Sequence, residues 1–99
     1  MSSRKRILVV TDDEDLRQVL MEQLQIYEEF ISEEAPTGTA AIDRIKEQYF
    51  DGIVLDTSLT DMCGREVCRV MRRTGVKSPI MMLISTDIDH ESTPTPELY

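Results

Sequence analysis

Phe50-Asp51-Gly52-Ile53-Val54-Leu55-Asp56 is a short apolar run bounded by glycine and closed by a single carboxylate, and Thr57-Ser58-Leu59-Thr60-Asp61-Met62-Cys63-Gly64 follows it. An unbroken Ile-Val-Leu core without polar alternation reads as a parallel strand buried on both faces. Asp56 then stands at the C-terminal end of that strand, the edge at which open α/β sheets bind their ligands. Taken alone, Asp56 has a second reading, a polar cap that ends the strand and accepts hydrogen bonds from the loop. A second group of acids upstream bears on the choice.

Working outward, Ile7-Leu8-Val9-Val10 is another short β-branched run and predicts a central parallel strand. It opens into Thr11-Asp12-Asp13-Glu14-Asp15, acids placed where a helix N-terminus welcomes negative charge. Leu16, Val19, Leu20, Leu24 and Tyr27 recur at helical spacing and predict an amphipathic helix over residues 14–26. Residues 28–35 alternate weakly between charges and predict an edge strand. Pro36-Thr37-Gly38-Thr39 breaks the chain, and Ala41, Ile42, Ile45 and Tyr49 predict a second helix. Val67, Val70 and Met71 predict a third, with Arg72 and Arg73 in its last turn and Gly75 as its left-handed stop. Ile80-Met81-Met82-Leu83-Ile84 is a fourth apolar strand, followed by Ser85-Thr86-Asp87. Alternating βα units of this kind require a parallel sheet with right-handed crossovers. Residues 88–99 carry two prolines and no apolar period, and predict an extended or disordered tail containing His90, a solvated bystander.

The 99 residues allow one domain, residues 1–87, with the tail outside it. Forty per cent of residues are hydrophobic, 30% are charged and only 5% are aromatic, so the core must be aliphatic and methionine-rich. The formal net charge of -8 opposes direct contact with nucleic acid, which asks for a basic surface. No run reaches membrane-spanning length and Met1-Ser2-Ser3-Arg4-Lys5-Arg6 leads into a strand without a signal core, so a cytoplasmic protein is expected. Cys63 and Cys68 lack the spacing of a metal clip and are read as reduced thiols.

In a doubly wound sheet the first and third strands are neighbours, which brings Asp12 and Asp13 towards Asp56. Three carboxylates in one crevice raise one another's pKa, so a hard divalent cation is the natural companion, and Mg²⁺ accepts such oxygens. A carboxylate beside bound Mg²⁺ can attack phosphorus. The same repulsion predicts that Asp56→Asn is neutral or stabilising without metal.

The pieces Arg6-Ile7-Leu8-Val9-Val10-Thr11-Asp12-Asp13-Glu14, Asp51-Gly52-Ile53-Val54-Leu55-Asp56, Leu59 through Gly64, and Ser78-Pro79-Ile80-Met81-Met82-Leu83 together resemble the receiver domains of bacterial two-component response regulators. That resemblance implies an α/β, flavodoxin-like (CheY-like) doubly wound parallel sheet, here truncated to four strands in the order 2-1-3-4 with three helices. It implies Asp56 as phosphoacceptor, Asp12 and Asp13 as the acidic pair holding Mg²⁺, and the backbone carbonyl of Ser58 as a further ligand. The phosphoryl-binding Thr or Ser of receivers falls at Ile84, with Ser85 one step later as the candidate switch. Thr60 and Cys63 also depart from the family's usual residues, and the fourth helix, the Lys-Pro strand and the fifth helix are missing.

The expected function is therefore a receiver-like phosphorelay module, impaired in switching, working through protein contacts with a sensor histidine kinase or phosphotransfer protein rather than as an enzyme. The alternative is a small Mg²⁺-dependent phosphotransfer or phosphatase enzyme with Asp56 as nucleophile. An unpaired, apolar fourth strand predicts a homodimer through that edge, or a heterologous partner that covers it.

Overall fold

The computed structural model describes residues 4–84 and 95–98. In chain order it contains β1 (Lys5–Val10), α1 (Glu14–Gln25), β2 (Phe30–Ala35), α2 (Gly38–Glu47), β3 (Gly52–Asp56), α3 (Gly64–Thr74), β4 (Ile80–Ile84) and β5 (Thr95–Leu98). The strands lie in the order β2-β1-β3-β4-β5. The first four are parallel, the arrangement that the βα alternation requires. Each crossover is a helix of ten to twelve residues, started and stopped locally. Asp13 is the N-cap of α1 and Thr37 that of α2, while α3 ends on Gly75 at φ 109°, a left-handed position that suits glycine.

The far edge differs from the expectation. β4 is not bare, because β5 pairs antiparallel with it, Met81 opposite Leu98 and Ile84 opposite Thr95. Thr95-Pro96-Glu97-Leu98 has no apolar period and holds a proline, so it did not read as a strand; at a sheet edge proline is tolerated because its missing N–H can face solvent. The unpaired β4 edge that called for a homodimer is therefore absent from the fold.

Burial is unequal on the two faces of the sheet. On one face the registered rows Leu8–Ile53–Ile80 and Val10–Leu55–Met82 are at most 2% exposed, packed with Val67 and Met71 of α3 and Ala41 of α2. On the other face α1 packs on β2 and β1, and exposure rises along the row Val9, Val54, Met81 from 0% through half-buried to 42%. Met81 is thus exposed within β4, and an apolar run by itself overstates the strand's burial. Tyr27 and Tyr49, placed on helix stripes by their spacing, lie beyond the ends of α1 and α2 and are mostly exposed. Tyr27 instead packs edge-to-face on Phe30, with ring centroids 6.0 Å apart.

Candidate functional site

Val10 is paired with Leu55, so the residues that follow, Thr11 and Asp56, stand side by side at the C-terminal edge of the sheet. Both are buried, Thr11 completely and Asp56 to 5% exposure. Thr11 Oγ1 donates to Asp56 Oδ2 at 2.7 Å and accepts from the Asp13 N–H at 3.1 Å. The other carboxylate oxygen, Oδ1, accepts from the Ser58 N–H at 2.9 Å and from Ser58 Oγ at 2.8 Å. Asp56 therefore holds three protein donors, as a buried carboxylate must to offset its lost hydration.

Thr11 is held in turn. Its carbonyl accepts from Arg17 Nη1 at 2.8 Å, and Arg17 Nε is ion-paired with Glu34 at 2.7 Å, which ties the start of α1 to β2 at the sheet edge.

The loop after β3 closes the site. Thr57 N–H and Oγ1 both donate to the Leu83 carbonyl, at 3.1 and 3.0 Å, anchoring the loop to β4. The Thr60 N–H donates to Asp12 Oδ2 at 2.8 Å, which brings Asp12 over the same loop. Asp61 reaches the first turn of α2: its Oδ1 accepts from the Gly38 N–H at 2.9 Å, and its Oδ2 from the Thr39 N–H and Oγ1 at 3.0 and 2.8 Å. Those bonds, the Thr39 N–H first and Gly38 next, hold the Asp61 carboxyl down at a pKa of about 2, against an ordinary value of 3.8. Two close approaches leave no room for side chains. A Cβ at Gly38 would come within 2.5 Å of Met62 Cγ, and one at Gly64 within 2.6 Å of the Asp56 carbonyl oxygen.

Asp12 and Asp56 thus meet at one loop, whereas Asp13 is turned to α1, where its Oδ1 accepts from the Leu16 N–H at 3.1 Å. The Thr11 and Ser58 hydroxyls, not a second acid, are the side-chain groups bonded to the Asp56 carboxylate. No group of three His, Cys, Asp or Glu side chains converges among the described residues. Two carboxylates still suit Mg²⁺, which takes one or two of them with backbone oxygen and water. Ser85 lies outside the described residues, and so does His90. Thr11 and Asp61 were not singled out from the sequence; the available signal for Thr11 was its place directly after an apolar run, matching that of Asp56. A cavity of about 520 Å³ sits at the opposite end of the sheet, against Ile45, Phe50, Ile53 and Val76, and shares no residue with the carboxylates.

With this geometry in hand, residues 7–93 match the family described as the response regulator receiver domain. The chain belongs to that family. Among curated proteins, it is 39% identical over 82 residues to the response regulator MprA of Mycobacterium sp. (strain KMS), covering 83% of this chain and 35% of the relative. The same protein from Mycobacterium avium (strain 104) is 39% identical, with 36% of its length covered. The receiver chain thus spans about a third of the curated relatives it matches. Among solved structures, the Vibrio cholerae chemotaxis protein CheY4 superposes with a TM-score of 0.80 at 27% identity, over 85% of this chain and 71% of that one. The response regulator protein TrrA of Thermotoga maritima, solved in complex with Mg(2+)-BeF, superposes with a TM-score of 0.77 at 30% identity, over 84% and 71% of the two chains. Receiver domains are signalling modules of two-component systems. Among the described residues no helix is long and apolar enough to cross a membrane.

Proposed function

We propose that this receiver is a cytoplasmic phosphorelay module in which Asp56 is the phosphoacceptor. The observation that carries the reading is the placing of Asp56 at the C-terminal end of β3, its carboxylate oriented by Thr11 and Ser58 and joined to Asp12 through one loop. An Asp56 oxygen attacks phosphorus, forming an acyl phosphate as the bond from phosphorus to the donor's leaving group breaks. Mg²⁺, when bound, neutralises charge on the transferring group. Asp12, Asp13 and Asp56 with the Ser58 carbonyl are the residues that would hold it. Asp13 caps α1 through Oδ1 alone, so the cap leaves its second oxygen for the metal.

Switching is impaired in this reading, since Ile84 stands where the family's phosphoryl-binding Thr or Ser falls. The attacking carboxylate is 5% exposed and holds three hydrogen bonds, and its Oδ2 accepts from Thr11 alone, which leaves a lone pair for phosphorus. Partners are a sensor histidine kinase or phosphotransfer protein that supplies the phosphoryl group, and output passes through protein contacts.

The test is incubation with Mg²⁺ and acetyl phosphate, read by intact mass. One phosphoryl group should add to the wild type and none to Asp56→Asn. Turnover of acetyl phosphate without an adduct would favour an enzyme, and inertness would remove the phosphoacceptor role.

A further inference from the structure

The contacts from the loop 57–63 to the two carboxylates run largely through backbone: the Ser58 N–H to Asp56 and the Thr60 N–H to Asp12. Backbone donors are aimed by the path of the loop, not by the identity of its side chains. That path is fixed at its start by Thr57 on the Leu83 carbonyl, and the loop closes on itself where the Gly64 N–H reaches the Thr57 carbonyl at 3.3 Å. Between those ends Leu59 is buried, Met62 packs where Gly38 lacks a side chain, and Asp61 bonds to the start of α2.

We propose that Asp61 is the positioning residue of this site, pinning the loop 57–63 to α2 so that Ser58 and Thr60 present their N–H groups to Asp56 and Asp12. The consequence for phosphoryl transfer rests on the reading of Asp56 given above; the geometry does not.

Helix capping alone is a poor account of Asp61. α2 has its own N-cap, Thr37, whose Oγ1 accepts from the Ala40 N–H at 3.0 Å. Asp61 takes the Gly38 and Thr39 N–H groups instead, from 22 to 23 positions further along the chain. A cap delivered from that distance couples two elements, which a local cap does not. It also relies on the free N–H groups and positive end of a helix, so the loop is held by a rigid body and not by another loop.

Three variants decide it: Asp61→Ala, Asp61→Asn and Thr37→Ala, the last weakening α2 without touching the loop. Amide hydrogen exchange reads the loop directly, with the Leu55 and Met82 amides as a control for the folded sheet. In Asp61→Ala the Ser58 and Thr60 amides should exchange about tenfold faster or more, with Mg²⁺ affinity and the rate of adduct formation falling by about tenfold, the usual effect of removing an orienting partner. Asp61→Asn keeps one acceptor oxygen and should fall between, serving also if the alanine variant fails to fold. Thr37→Ala should leave all three readouts near wild type. Unchanged exchange in the Asp61 variants, or equal loosening of the loop in Thr37→Ala, would overturn the proposal. A wild type that takes neither Mg²⁺ nor a phosphoryl group would count against the phosphoacceptor reading, while the exchange data would still decide the role of Asp61.

Discussion

Thr11 and Asp56 lie 45 positions apart in the chain, yet the hydroxyl of one donates to the carboxylate of the other at 2.7 Å within the buried end of the sheet. A neutral donor thus stands beside the candidate phosphoacceptor. Removing this donor should cost stability, because Thr11 is fully buried and the Asp13 N–H would also lose its acceptor. Thr11→Ala should lose about 1–3 kcal/mol, the usual penalty for leaving a buried polar group unsatisfied, measured by urea unfolding. Thr11→Asp should respond differently: it sets a second carboxylate against Asp56, unfolding easily in chelator and recovering in Mg²⁺. Equal stability with and without Mg²⁺ in that variant would contradict the placement of the metal.

Asp56→Asn sets charge repulsion, which favours the variant in chelator, against hydrogen bonding. The amide keeps one oxygen for the Ser58 N–H, but its NH₂ group then faces Thr11 Oγ1, which donates to the carboxylate in the wild type. In chelator the variant should therefore be destabilised by about 1–2 kcal/mol. A neutral or stabilising result in the same urea titration would restore repulsion between Asp12 and Asp56 as the dominant effect.

Cap and metal should separate at Asp13. Asparagine caps a helix about as well as aspartate, so Asp13→Asn should keep its stability in chelator but lose the Mg²⁺-induced rise in melting temperature. Asp13→Ala should in addition cost about 1 kcal/mol through the lost cap. Asp12→Asn should abolish the metal response. An unchanged rise in Asp13→Asn would remove Asp13 from the metal site.

Acid should act through Asp61. Its carboxyl has a folded pKa of about 2 against 3.8 ordinarily, so it contributes stability above the ordinary value and loses it as pH falls through the lower one. Between about pH 4 and pH 2 the wild type should lose stability that Asp61→Asn never had, and the gap between their urea midpoints should close over that window. A gap that stays constant from pH 5 to pH 2 would mean that the Gly38 and Thr39 bonds do not favour the ionised form.

Much of this molecule is written in local pattern. Three apolar runs too short for helices, separated by segments of helical period, leave little but a parallel sheet with helical crossovers, and the run 52–56 carries Asp56 to the sheet's C-terminal edge whatever the packing details. Periodicity is a property of neighbours along the chain, and so it survives in the sequence. Tertiary structure alone decided which groups meet at that edge. Thr11 faces Asp56, Thr60 reaches Asp12 from 48 positions away, Asp61 finds α2, and Asp13 serves its own helix, because register and loop path set those distances and a lone hydroxyl or carboxylate has no period to betray it. The same holds for β5, whose pairing with β4 satisfies backbone groups that every sequence carries alike. It holds too for the open face over Val54 and Met81, since an apolar strand looks the same in sequence whether α1 reaches across it or stops at β1.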